Sequence, residues 1–254
     1  MFSAPFPRPA ILLPAFCMQL RSFGFSHIGR VRPENEDSFL CDDARQLYAV
    51  ADGIGGLPAG AQASQKTVAV LAQLIAPQPP QKNLNYAEIL KEINQQVFNL
   101  GRLLCPQYGL GSTLTCAHLV GVKLHINHVG DSAAFRLRSK LLEQLTQDHT
   151  VAGENQARLN RGESGQLLTG NDQALTRCIG QPPPLRSECL VHTILPHDRY
   201  LFATDGITHF VPKTEIANLL QAATAPVEVV TQLIERANQS GGHDNATAVV
   251  LFVD

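Results

Sequence analysis

Leu47-Tyr48-Ala49-Val50-Ala51 runs without a break into Asp52-Gly53. Five residues of this kind predict a short buried strand, and the Asp-Gly pair ends it. The same grammar returns at Leu201-Phe202-Ala203-Thr204-Asp205-Gly206. Asp131 follows another apolar run, with Gly130 before it, and Asp244 stands just ahead of the apolar run 246–253. One Asp-Gly alone reads as an ordinary turn; four aspartates in matching contexts form a pattern. A strand end fixes a side chain rigidly, and a neighbouring glycine lets backbone or ligand come close. Carboxylates placed this way can converge at one edge of a sheet, where they repel unless a cation neutralises them. Mg²⁺ and Mn²⁺ suit such a site, because they prefer oxygen ligands and retain waters.

Outward from those positions, residues 112–120 and 123–129 flank Gly121-Val122 as a predicted hairpin, and 133–137 and 200–203 are further strands. Helices are predicted at 59–75, stopped by Pro77, and at 86–104, with Ile89, Leu90, Ile93, Val97 and Leu100 on one face. Two shorter helices follow at 215–222 and 226–238, the second opened by Pro226. The polar stretch 151–173 reads as a mobile surface segment. Strands in hairpins and helices in sequential pairs favour an α+β fold, with antiparallel sheets whose outer faces the helices cover.

A chain of 254 residues with 44% hydrophobic and 17% charged residues can bury one large core. The net charge of −2, with no Lys/Arg run, argues against nucleic acid or an anionic membrane as a partner. Six scattered cysteines without a C-x-x-C suit a reducing cytoplasm. None has Arg six positions on, the spacing a cysteine nucleophile would need to cradle phosphate. Residues 1–20 read as a disordered tail with no membrane role, since the apolar stretch 10–18 is broken by Pro14 and too short for a span. Met18 is an alternative start.

Eight motifs stand in a recognisable order. Gly29-Arg30-Val31-Arg32-Pro33-Glu34-Asn35-Glu36-Asp37 is followed by Val50-Ala51-Asp52-Gly53-Ile54-Gly55-Gly56, Gly111-Ser112-Thr113-Leu114-Thr115 and Val129-Gly130-Asp131-Ser132. Then come Leu145-Thr146-Gln147-Asp148-His149-Thr150, Leu175-Thr176-Arg177-Cys178-Ile179-Gly180, Thr204-Asp205-Gly206-Ile207-Thr208 and Gly241-Gly242-His243-Asp244-Asn245-Ala246-Thr247. From about Phe23 to Asp254 the chain resembles the metal-dependent protein phosphatases of type 2C (the PPM family) in their compact bacterial form.

The resemblance implies a four-layer α-β-β-α sandwich with two Mn²⁺ or Mg²⁺ ions in a cleft at one end. By it, Asp52 bridges both metals, the Gly53 carbonyl binds one of them, and Asp205 and Asp244 complete the other. Glu36 and Asp37 match acidic residues that hold metal-bound waters. Arg32 grips phosphate through its guanidinium fork, while nearby Arg30 reads as a surface cation. Asp131 matches the ligand of a third, weaker metal, or is a carboxylate hydrogen-bonded within a strand-end turn; both readings stay open. The implied reaction is hydrolysis of phosphoserine or phosphothreonine on proteins by a metal-bridging water. The partner would be a eukaryotic-like Ser/Thr kinase, and the enzyme a cytoplasmic monomer. Many eukaryotic members carry His where this chain has Ile54; His209 and His243 read as ordinary loop histidines rather than substitutes. Rival readings are a phosphatase of an anti-sigma-factor antagonist, a phosphatase-like binding module without catalysis, and a metal-dependent nuclease. The module would have lost metal aspartates that this chain keeps, and the nuclease would show a basic track that it lacks.

Overall fold

The structure, a computed structural model, describes residues 18–54, 59–75, 84–163, 165 and 167–254. In chain order the strands are β1 (Leu20–His27), β2 (Asp37–Asp42), β3 (Leu47–Asp52), β4 (Leu114–Val120), β5 (Lys123–Val129), β6 (Ala133–Arg138), β7 (Leu141–Gln144), β8 (Glu188–Thr193), β9 (Arg199–Ala203) and β10 (Ala246–Val253). The helices are α1 (Gly60–Ile75), α2 (Tyr86–Leu104), α3 (Val151–Asn160), α4 (Asp205–Thr208), α5 (Lys213–Ala222) and α6 (Pro226–Gln239).

Among the described residues the strands form two antiparallel five-stranded sheets, ordered β1-β10-β9-β6-β7 and β2-β3-β4-β5-β8. Side chains alternate across a strand, and here both faces are apolar. On β10, Val249, Leu251 and Val253 face the other sheet together with Tyr200 and Phe202 of neighbouring β9, and they meet Tyr48, Val50 and Ile126 there. Ala248, Val250 and Phe252 face outward against Ile216, Leu220, Val229 and Leu233 of α5 and α6. On β3, Leu47 and Ala49 turn outward to Ala63, Val70, Leu71, Leu90 and Ile93 of α1 and α2. That double alternation is why these strands read as continuous apolar runs. The expected four-layer sandwich is the observed fold.

Three differences from the sequence reading stand out. The stretch read as a mobile segment opens with helix α3. It has almost no apolar stripe, and only Val151 is buried. Its order comes from polar fixings: the Thr150 hydroxyl accepts the Gly153 amide at 3.1 Å, and Asn155 exchanges two hydrogen bonds with the Leu168 backbone. Four strands, β1, β2, β7 and β8, were not singled out from the sequence. The expected tail lies outside the described residues as far as residue 17, whereas Gln19 already trades two backbone hydrogen bonds with Asp254.

Candidate metal centre

Strand register gathers the acidic residues before any side chain is considered. Asp37 opens β2 directly opposite Asp52, which closes β3. Ala203, the last residue of β9, pairs with Ala133 on one side and Ala248 on the other. The turn carrying Asp131 into β6, the Asp244 loop into β10 and Asp205 at the head of α4 therefore share that end of the sandwich. Arg32, Glu36, Asp52, Gly53, Asp131, Asp205 and Asp244 line a single cleft of about 290 Å³, with Ile54, Thr113 and Asn245. Asp37 sits behind it, only 7% exposed.

Glycine is required where the two Asp-Gly pairs touch neighbouring backbone. A Cβ on Gly53 would collide with the carbonyls of Gly60 and Glu36, and one on Gly206 with the carbonyl of Asn245. The Gly53 amide in turn donates to the Glu36 carbonyl at 3.0 Å.

The carboxyl groups are crowded. Burial, followed by repulsion from Asp37, Asp205 and Asp131, holds Asp52 well above the usual carboxylate range. Asp205 is raised by burial and by Asp244. Asp131 is pushed up to about 7 by burial, with Asp205 and Asp148 adding to it. Burial also lifts Asp37 to about 7, although its Oδ2 accepts from the hydroxyls of Thr247 (2.6 Å) and Thr204 (2.9 Å). Asp37 Oδ1 and Asp205 Oδ1 are buried without a hydrogen-bond partner. Unpartnered buried oxygens among mutually repelling carboxylates are what a divalent cation relieves. The residues present fit one.

Arg32 brings positive charge to this cleft: its Nη2 donates to Asp244 Oδ2 at 2.8 Å. Arg30 does not line the cleft. Its amide donates to Gly242, and it borders a separate polar groove with His27, Glu235 and Asn238. His209 lies 3.6 Å from Asp205 through Nδ1 but does not line the cleft, nor does His243, whose ring packs 6.0 Å from that of Phe210.

Side chains outside the expected ligand set hold these acids in place. Asn245 accepts from the Glu36 amide (2.8 Å) and donates to the carbonyls of Ile28 (2.9 Å) and Glu34 (3.0 Å), tying the Arg32 loop to the Asp244 loop. The Thr113 hydroxyl accepts the Asp52 amide at 2.9 Å. Thr204 and Thr247 clamp Asp37 from the opposite sheet. Each stands beside or within a quoted motif, which is the only signal that could have found it.

Likeness to known proteins agrees with this arrangement. Residues 18–246 match the family description Protein phosphatase 2C. The serine/threonine phosphatase stp of Listeria welshimeri is 30% identical over 236 residues, covering 88% of this chain and 92% of that protein. A crystal structure of the Mycobacterium tuberculosis serine/threonine phosphatase PstP/Ppp superposes with a TM-score of 0.80 at 30% identity, covering 92% of this chain and 99% of the other. The catalytic domain of PstP in complex with two manganese ions gives a TM-score of 0.80 at 31% identity, covering 93% and 99%. With the match running from Met18 into the last strand, and the fold and acidic cleft in agreement, this chain belongs to the protein phosphatase 2C family.

Proposed function

We propose that this chain hydrolyses phosphoserine and phosphothreonine on proteins with the aid of divalent cations. The observation that carries the reading is the convergence of Asp52, Asp131, Asp205 and Asp244 on one cleft, with unpartnered buried carboxylate oxygens and Arg32 at the same place. Asp52, the Gly53 carbonyl, Asp205 and Asp244 would hold two ions, Mn²⁺ or Mg²⁺. The manganese pair in the PstP catalytic domain supports that number. Asp131 would take a third, weaker ion. When bound, such ions acidify water and offset charge on phosphoryl oxygens.

The protein's own groups supply the rest. Glu36 and Asp37 would hold waters bound to the cations. Among the described residues Arg32 donates to Asp244 through Nη2, so the remaining guanidinium donors can meet two phosphoryl oxygens side by side. Thr113 is the one hydroxyl residue lining the cleft among the described residues, and its Oγ1 is engaged by the Asp52 amide and by Ser132 at 2.7 Å. In this reading water is the attacking group, in line with the departing seryl or threonyl oxygen, and no phosphorylated side chain intervenes. Ile54 lines the cleft where many eukaryotic members carry His. No imidazole there protonates the leaving oxygen, so the rate should depend steeply on leaving-group basicity.

The physiological counterpart in this reading is a Ser/Thr kinase of the eukaryotic-like type, and the protein acts as a cytoplasmic monomer. No helix among the described residues is long and apolar enough to cross a membrane. The test is hydrolysis of phosphoserine peptides and p-nitrophenyl phosphate with Mn²⁺ or with chelator. Activity that ignores the chelator, or none with Mn²⁺, overturns the proposal.

A further inference from the structure

Behind the cleft lies a second buried polar cluster. His128 and His149 are 0% and 2% exposed, and their rings lie 4.6 Å apart. With Glu188 they place three metal-capable atoms within 4.8 Å of one another. A metal is nevertheless disfavoured there. Both His128 nitrogens are engaged, by the Thr115 hydroxyl at 2.8 Å and the Gln147 carbonyl at 2.9 Å. The cluster also already has a cation, because the Arg177 guanidinium acts on His128, His149 and Glu188 alike.

Arg177 reaches outward as well as inward. Its Nη2 donates to Glu154 Oε1 of α3 at 2.5 Å, in a pair whose side chains are 25% and 15% exposed. Its Nη1 rests 3.1 Å from His149 Nε2. On the opposite side of that ring Nδ1 accepts the Gly130 amide at 3.1 Å, and the His149 amide donates back to the Gly130 carbonyl at 2.7 Å. Accepting at Nδ1 leaves the ring proton on Nε2, facing the guanidinium. Contact between Arg177 and His149 is thus held by the charge of Glu154, not by attraction between the two groups themselves. Gly130 leads directly into Asp131, so the helix beside the cleft is tied to the cleft's own aspartate through two side chains.

We propose that Arg177 is a positioning residue: clamped by Glu154 on α3, it braces His149, and His149 fixes the Gly130–Asp131 turn. A second path leads from the same cluster to Asp52. Thr115 contacts His128 and also donates to the Ser132 carbonyl at 2.7 Å, while Ser132 bonds Thr113, which accepts the Asp52 amide. The inference rests on the metal-dependent phosphatase reading of the cleft and adds that metal affinity is set partly from α3.

The test measures the Mn²⁺ concentration giving half-maximal hydrolysis of p-nitrophenyl phosphate, for the wild type and for Arg177→Met, Arg177→Lys and Glu154→Gln. Partners behind metal ligands change affinity by about 10–100-fold. Arg177→Met is expected at the lower end of that range, with the rate at saturating Mn²⁺ nearly kept. Glu154→Gln should move the same way by less, and Arg177→Lys should recover part of the loss. In the same proteins, hydrogen exchange at the Gly130 amide should quicken. Unchanged half-saturation and unchanged Gly130 protection in Glu154→Gln would overturn the inference, even if Arg177→Met does not fold. A wild type without Mn²⁺-dependent hydrolysis would instead sink the phosphatase reading itself, so the two failures are distinct.

Discussion

The aspartate cleft and the histidine cluster behind it meet at the Gly130–Asp131 turn, yet burial acts on them in opposite senses. In the cleft it raises Asp37 and Asp131 to about 7 and leaves carboxylate oxygens without partners. In the cluster it lowers His128 to about 3 and His149 to about 4, so both stay neutral, with Thr115, the Gln147 carbonyl and the Gly130 amide as their hydrogen-bond partners and Arg177 paired with Glu154 beside them. One cluster is satisfied from within the chain; the other has a charge imbalance that only something outside the chain can correct. That contrast, more than the count of acidic residues, separates a binding site from a structural network.

The largest effect should come from removing one ligand on the unsatisfied side. Asp205→Asn should lower Mn²⁺-dependent hydrolysis about 10³-fold or more. The melting temperature of the metal-free protein should hold or rise, because a repelling buried carboxylate has gone. His149→Ala should do the reverse, costing about 2–4 kcal/mol of stability with or without metal. If Asp205→Asn destabilises the metal-free protein and spares activity, the contrast is broken.

Acidity separates the regions next. The raised aspartates contribute stability that is present below the unfolded value near 4 and lost as pH climbs through about 7. The lowered histidines contribute stability present above the unfolded value near 6.5 and lost as pH falls towards about 4 and then about 3. In melts of the metal-free protein the two trends oppose each other between these limits. Subtracting those melts from Mn²⁺-saturated ones cancels the histidine contribution. The difference should grow from pH 5 to pH 8, by on the order of a few kcal/mol. A flat difference would mean the cleft carboxylates do not release protons to metal.

The two arginines sharpen the comparison further. Arg32→Ala should raise KM for phosphopeptides about tenfold, with smaller changes in kcat and in Mn²⁺ half-saturation. Arg177 variants should show the converse. An unchanged KM in Arg32→Ala would remove its phosphate role. Smallest of all, Ile54→His should speed alkyl phosphates a few-fold relative to p-nitrophenyl phosphate, whose leaving group needs no proton. Equal effects on both substrates would show that the position has no part in leaving-group protonation.

How legible each part was follows from the same physics. Strands β3, β9 and β10 are apolar on both faces, so they stood out as unbroken runs, and their ends marked the aspartates. Helix α2 was read to the residue because one strong apolar face crosses its whole length. Strand β1 escaped notice because Arg21, Ser22, Gly24 and Ser26 interrupt it at a sheet edge, and β8 because it alternates half-buried and exposed positions. Helix α3 was hidden by its polarity, since caps and the Asn155 link replace a core face. The clamps on Asp37 were invisible for another reason: Thr204 and Thr247 act across the gap between sheets, and no local spacing encodes that reach.

The position of β10 governs the order of events during synthesis. Of the described strands it leaves the ribosome last, yet it inserts between the first, β1, and β9, and carries Asp244 at its head. Until it arrives, β1 has no sheet partner, β9 is paired on one side only, by β6, and the carboxylate cluster is one member short. A nascent chain halted before residue 244 should therefore be recognised by chaperones and inactive, with cation binding switched on only once β10 has emerged.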